Sequence, residues 1–160
     1  MNKAVFLDRD GVINRELGDY VKNPASFLLN DGVGETLRKW AEDGYLLIVI
    51  TNQGGIAKGL YSEKTLHAIH EKMLQLLAQD DVTLTAIYHC PHHPSTGECL
   101  CRKPDSLLLE KALARFHIDP AKSFFIGDKE RDILAGLKAG VKGIRIEPNA
   151  PLSDINLYNA

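Results

Sequence analysis

Two acids leave the first apolar run of this chain: Asp8 and Asp10, in Asp8-Arg9-Asp10-Gly11, directly follow Ala4-Val5-Phe6-Leu7. They point the same way if the backbone stays extended, and the second reaches over the first once the chain turns. A third carboxylate, Asp128, stands far along the chain in Gly127-Asp128-Lys129. Carboxylates brought together repel and hold protons unless a cation sits among them. Oxygen-only donors of this kind suit Mg²⁺. Beside such an ion a carboxylate can attack phosphorus, which gives Asp8 the part of nucleophile. Asp10 is then placed to protonate the leaving oxygen and to take a proton from water. Thr51 and Lys103 offer a hydroxyl and a positive charge to the phosphoryl oxygens. Alone, an Asp-x-Asp, a Thr-Asn, an Arg-Lys-Pro or a Gly-Asp-Lys reads as an ordinary solvated turn. Their joint occurrence, each after an apolar run, is what points to chemistry.

A second constellation is Cys90-x-His92-x₆-Cys99-x-Cys101. The chain's 3 cysteines all fall here, and an odd, clustered set reads as metal ligands rather than as a disulfide framework. Three thiolates and one imidazole match a closed, tetrahedral structural Zn²⁺. His89 and His93 compete with His92 for the nitrogen position. Zinc at residues 90–101 would pin the loop that ends at Arg102 and Lys103 and hold both cations towards a phosphate.

The elements that must position these groups alternate. The apolar runs at 4–7 and 45–50 read as buried strands, the first on both faces, and 83–89, 123–126 and 141–146 read as further strands. Between them lie helical patterns: Asp31 to Glu42 with Asp31 as cap, Ser62 to Gln79 with Ser62 as cap, Ser106 to Phe116, and Glu130 to Ala139. Alternation of this kind predicts an α/β fold, a doubly wound parallel sheet, as a single domain over 1–160. Ligands of such sheets sit outside the carboxyl ends of the strands, where these clusters fall. Trp40 is expected in the core, and His67 and His70 on the surface. Asp132 reads equally as a surface acid or as a carboxylate behind the site. The tail from Glu147, polar and with two prolines, is expected to be loosely held.

With 160 residues, 44% hydrophobic and 25% charged, the chain has the composition of one soluble domain. A formal net charge of −2 carries no argument for nucleic acid or an anionic membrane as partner. The first apolar run is too short for a leader and the run at 45–50 too short for a membrane span. A cytoplasmic monomer acting on a small phosphorylated metabolite is expected.

Asp8-Arg9-Asp10-Gly11, Thr51-Asn52-Gln53, Lys103-Pro104 and Gly127-Asp128-Lys129-Glu130-Arg131-Asp132 resemble the four ordered motifs of the haloacid dehalogenase superfamily. The resemblance spans roughly residues 3–146. Asp8–Asn14, Thr51–Gly59, Cys90-Pro-His-His-Pro94 and Cys99-Leu-Cys-Arg-Lys-Pro104 are similar to its heptose-bisphosphate phosphatases and, with most of these elements shared, its histidinol-phosphate phosphatases. The resemblance implies a phosphatase working through an aspartyl-phosphate at Asp8, with Asp10 as acid and base. It implies Mg²⁺ held by Asp8, the Asp10 main-chain carbonyl and Asp128, with Thr51 and Lys103 on the phosphoryl group. It puts Asn52, Arg102 and Lys129 at the substrate and favours His92 as the zinc ligand. Caps in this superfamily follow the first or third strand; gaps of about twenty and about fourteen residues are too short for one here. Residues 14–22 and 52–59 would then form the specificity rim. Paired cations at Arg102 and Lys103 favour a sugar bisphosphate over the amine of histidinol phosphate. Rival readings are a phospho-accepting signalling domain and a zinc-pinned binding module.

Overall fold

In the computed structural model, which describes residues 1–160, the apolar runs pair as one parallel sheet. The strands are β1 (Lys3–Leu7), β2 (Tyr45–Asn52), β3 (Ala86–Cys90), β4 (Phe124–Gly127) and β5 (Lys142–Arg145), in the order β3-β2-β1-β4-β5. The helices between them are α1 (Val33–Glu42), α2 (Glu63–Ala78), α3 (Leu107–Arg115) and α4 (Glu130–Lys138). Alternate residues of β1 serve two cores. Val5 and Leu7 join Leu37, Trp40, Ile69 and Met73 on the face covered by α1 and α2. Ala4 and Phe6 join Leu109, Ala112 and Ala135 on the face covered by α3 and α4. Burial on both faces is why β1, β2 and β4 read as unbroken apolar runs, whereas the edge strands β3 and β5 are only partly buried. This is the expected doubly wound sheet. No cap domain is present: the stretches 8–32 and 91–106 hold nothing larger than the one-turn helix Pro24–Ser26. No helix is long and apolar enough to cross a membrane.

The strand order decides where the site lies. The chain winds from β1 outward through β2 to β3, then returns to the other side of β1 for β4 and β5. Crossovers therefore diverge between β1 and β4, opening a crevice at their carboxyl ends. Asp8 leaves β1 and Asp128 leaves β4 at that point, and the Asp8 N–H donates to the Ile126 carbonyl at 3.0 Å. Two acids 120 positions apart in sequence become neighbours through one strand pair.

Several boundaries differ from expectation. β2 runs on through Thr51 and Asn52, which pair with His89 and Cys90 instead of forming a turn. α1 starts at Val33 behind Gly32 without a side-chain cap, so Asp31 does not cap it. Ser62 does cap α2, its Oγ accepting from the Thr65 N–H at 3.1 Å. The tail is not loose. Leu152 and Leu157 are buried in the core beneath α1, and Asn149 ties the tail to the loop after β1. Two isolated leucines in a polar stretch make no periodic pattern, yet each fills the rim of a core built by other elements. Leu157→Ala should therefore lower unfolding free energy by roughly 2–4 kcal/mol. Urea denaturation checks this, and a midpoint unchanged from the parent protein would mean the tail contributes nothing.

Candidate active site

Lys103 organises the crevice. It is almost fully buried, and its Nζ donates to Asp8 Oδ1 at 2.8 Å and to the Ile50 carbonyl at 2.8 Å, and lies 2.7 Å from Asp132 Oδ1. Burial alone would lower the Lys103 pKa, but Asp8 and Asp132 raise it above the ordinary value, so it stays charged. Asn52, the last residue of β2, holds the lysine's backbone. Its Nδ2 donates to the Lys103 carbonyl at 3.1 Å, and its Oδ1 accepts from the Lys103 N–H at 3.0 Å. Both polar ends of Asn52 are thus spent on Lys103, although it also lines the cleft.

Asp132 is completely buried, which removes the reading of a surface acid. Besides meeting Lys103, it accepts from the Lys129 N–H through Oδ2 at 3.1 Å, closing the first turn of α4. Gly127 makes this possible: a Cβ there would lie 2.2 Å from Asp132 Cβ. Gly11, at φ +86°, admits Asp128 in the same way, since a Cβ would lie 2.3 Å from Asp128 Oδ2.

Asp8, Asp128 and Asp132 place carboxylate oxygens within 4.8 Å of one another. Burial, opposed by Lys103 and reinforced by Asp132, pushes the Asp8 pKa up to about 7. Burial also raises Asp128, against the pull of Lys129 and with a further push from Asp132. Neither buried oxygen of Asp128 has a hydrogen-bond donor; the only cation near is the half-exposed Lys129, 3.7 Å away. Three carboxylates around one buried ammonium leave negative charge uncompensated, and the free oxygens of Asp128 face it. That donor set fits a hard divalent cation such as Mg²⁺. Asp132 belongs to the cluster but spends its oxygens on Lys103 and Lys129 N–H, so Asp8 and Asp128 are the side chains left to hold an ion.

Asp10 does not share this cluster. Its Oδ1 accepts from Arg9 Nη2 at 2.8 Å and Asn14 Nδ2 at 2.9 Å, and its Oδ2 from Gln53 Nε2 at 3.1 Å. Burial favours its protonated form, but the Arg9 charge and these bonds hold it below the ordinary carboxylate value. Gln53 also donates to Thr51 Oγ1 at 2.9 Å and accepts from Tyr61 Oη. Arg9 is fully buried, and its Nη1 lies 3.2 Å from Nε2 of His70, itself only 8% exposed. His70 is thus not a surface residue as expected, whereas His67 is and Trp40 sits in the core. Arg9, Asn14, Gln53, Tyr61 and His70 were not legible as site residues. The available signal was the placing of Arg9 and Gln53, polar groups beside motif residues at the ends of buried strands.

The cleft holds about 270 Å³ and is lined by Asp8, Asp10, Asn52, Asp128, Lys129 and Arg131, with Glu16, Asp19 and Tyr20 on its rim. Arg102 does not line it. With His93 and Lys103 it lines a second hollow of about 390 Å³, and its Nη1 donates to the His92 carbonyl at 3.1 Å. A larger cleft, about 650 Å³, lies between α2 and β3 and contains none of the motif acids.

The loop after β3 brings Cys90, His92, Cys99 and Cys101 together, their ligand atoms all within 4.8 Å. Cys90 Sγ is 3.0 Å from Cys101 Sγ and 3.7 Å from Cys99 Sγ, and His92 Nδ1 is 3.4 Å from Cys90 Sγ. The cysteines are free, and burial pushes the Cys90 thiol up. A closed set of soft donors at this spacing fits Zn²⁺. The competing histidines point away from it: His93 Nδ1 meets Ser95 Oγ, and His89 Nε2 meets Glu63.

A family model described as HAD-hyrolase-like matches residues 100–148. The chain is 46% identical over 147 residues to the D-glycero-beta-D-manno-heptose-1,7-bisphosphate 7-phosphatase of Haemophilus influenzae, spanning 89% of this chain and 79% of that one. It is 43% identical over 139 residues to the D-glycero-alpha-D-manno-heptose-1,7-bisphosphate 7-phosphatase of Campylobacter jejuni, spanning 87% and 78%. Among solved structures it resembles the D,D-heptose 1,7-bisphosphate phosphatase of B. bronchiseptica complexed with magnesium and phosphate. That match has a TM-score of 0.83 and 36% identity, covering 88% of this chain and 78% of that one. The chain belongs to the haloacid dehalogenase superfamily of hydrolases. Within it, the chain is a phosphatase, a phosphoric monoester hydrolase.

One consequence of the site's rear wall is measurable without substrate. Burial, then the Arg9 and His89 charges, push the His70 pKa from an ordinary 6.5 down to about 3. The folded value lies below the unfolded one, so this contribution to stability is complete above 6.5 and is lost as pH falls towards 3. The limiting slope is about 1.4 kcal/mol per pH unit. The parent protein should therefore lose unfolding free energy relative to His70→Gln as pH falls from 7 to 5. A pH-independent gap would mean that His70 titrates normally in the fold.

Proposed function

We propose that this protein removes the 7-phosphate of D-glycero-D-manno-heptose 1,7-bisphosphate through an aspartyl-phosphate at Asp8. The observation that carries the reading is Lys103 Nζ, 2.8 Å from Asp8 Oδ1, beside the donor-free carboxylate of Asp128. Asp8, the Asp10 main-chain carbonyl and Asp128 would hold Mg²⁺, which when bound lowers the repulsion between a carboxylate and a phosphate dianion. Lys103 keeps Asp8 oriented at the end of β1 and, with Thr51, faces the equatorial oxygens as charge spreads over them. An Asp8 oxygen forms the bond to phosphorus, and the bond from phosphorus to the sugar oxygen breaks. Asp10 gives that oxygen its proton, then takes one from the water that releases phosphate from Asp8. Negative charge arriving with the substrate favours the protonated Asp10 that the first step needs.

The substrate assignment draws on the names of the relatives and on the cleft's charges. Glu16 Oε1 accepts from the Gly18 N–H, and Asp19 pairs with Lys22 at 2.9 Å, so both rim acids are used within their own loop. Arg131 has a buried Nε without a partner. Lys129 and Arg131 are the cations lining the cleft that could meet a second anionic group, and the preference over histidinol phosphate rests on the names of the relatives. Relatives named for the beta and the alpha anomer are 46% and 43% identical to this chain, a difference too small to choose between them. On this reading the enzyme serves carbohydrate metabolism, in the supply of lipopolysaccharide sugars, and works as a cytoplasmic monomer.

Cys90, His92, Cys99 and Cys101 would hold a structural Zn²⁺ that ties the loop carrying Lys103. Its part is to keep the Arg102–Lys103 segment against Asn52, remote from bond making.

Phosphate release should be greatest with heptose bisphosphate, lower with histidinol phosphate, and abolished without Mg²⁺ or in Asp8→Asn. An Asp8→Asn protein that still hydrolyses the bisphosphate would exclude Asp8 as nucleophile. Stripping zinc with a chelator, with Mg²⁺ kept in excess, should lower the melting temperature and kcat together. Restoring zinc alone should recover both, and indifference of either quantity to zinc would refute a structural ion.

A further inference from the structure

Behind Asp10 lies a buried contact that none of the motifs explains. The Arg9 guanidinium is wholly enclosed, with its Nε at 3.1 Å and Nη2 at 2.8 Å from Asp10 Oδ1 and the Phe27 ring 5.9 Å from its Cζ. Its Nη1 points the other way, into α2, where Nε2 of His70 is 3.2 Å away. A buried guanidinium needs acceptors for its N–H groups, and an orphaned one costs more than an ordinary lost hydrogen bond. His70 is the acceptor on that side, with Nε2 unprotonated towards Arg9. The fork is thereby fixed from behind, and the fork fixes Asp10 Oδ1.

We propose that His70 is a positioning residue for the proton transfers of Asp10, acting through Arg9. The proposal rests on the reading of Asp10 as acid and base. Without the His70 acceptor, Arg9 Nη1 must find another partner, the fork turns, and Asp10 loses its aim at the leaving oxygen. Asp8, Lys103 and Asp128 do not touch His70, so attack on phosphorus is left intact. The effect therefore depends on the leaving group. A sugar alkoxide must take a proton from Asp10 as the phosphorus–oxygen bond breaks, whereas p-nitrophenolate departs without one.

The test compares kcat/KM, which reports events through formation of the aspartyl-phosphate, for heptose bisphosphate and p-nitrophenyl phosphate with Mg²⁺ present. His70→Leu and His70→Asn remove the acceptor or draw it out of reach; His70→Gln keeps an amide oxygen near the position of Nε2. Expected is a loss of about tenfold or more on the sugar phosphate in Leu and Asn, as for partial loss of general-acid catalysis. Expected too are little change on p-nitrophenyl phosphate and recovery in Gln. Equal losses on both substrates, no loss on either, or Gln behaving as Asn would overturn the proposal. If His70→Leu fails to fold, the contrast between Gln and Asn decides. A parent protein inactive on both substrates would instead refute the phosphatase chemistry itself, a result distinct from any pattern among the His70 variants.

Discussion

One buried ammonium holds the site together. Lys103 contacts Asp8 from β1, the Ile50 carbonyl from β2 and Asp132 from α4, so a single side chain joins three elements. Taking these charges out of water is costly, and their mutual attraction repays the cost only with close geometry and with the remaining polar atoms paired. The geometry is close, yet one carboxylate, Asp128, has no hydrogen-bond donor and only the Lys129 charge, 3.7 Å away. The arrangement therefore suits completion by a cation, and burial with the neighbouring Asp132 raises the pKa of Asp8 in the same cluster.

Lys103 belongs to an irregular loop, the least dependable place in a fold to anchor a charge. Two devices compensate. Asn52 grips its backbone through a pair of hydrogen bonds, and it can do so because β2 extends rigidly to that residue. On the other side, the Cys/His cluster draws the loop into a knot that starts at the last residue of β3. The end of β2 and the Cys/His cluster thus act on the same few residues from opposite directions.

Asp10 is held by different means. Where Asp8 sits among carboxylates, Asp10 is surrounded by donors, from Arg9, Asn14 and Gln53. Two acids two positions apart are thereby given opposite environments, one pushed towards neutrality and one towards ionisation. Environments that separate two carboxyl groups in this way let them take different parts in one reaction. The network is closed by Tyr61, just ahead of α2, and by His70 within that helix, although α2 carries no motif residue.

Much of this was legible in the sequence. Apolar runs alternating with helical patterns defined the parallel sheet, because strands covered on both faces leave no polar alternation. Clusters at the ends of those runs marked the crevice, since the carboxyl edge is where a doubly wound sheet binds. Cys90, Cys99 and Cys101 pointed to one cluster by type and spacing, and the fold brings them together with His92. The tertiary structure decided the rest. Whether Asp132 was surface or interior depended on how closely Gly127 let α4 approach, a distance that no local pattern encodes. His70 looked like a surface residue because helical periodicity reports apolar faces and cannot show that a buried arginine waits across the gap. Leu152 and Leu157 looked like tail because isolated apolar residues acquire meaning only from the cavity they fill. Local order is written in spacing and residue type; which polar groups meet is settled only when distant segments share a volume.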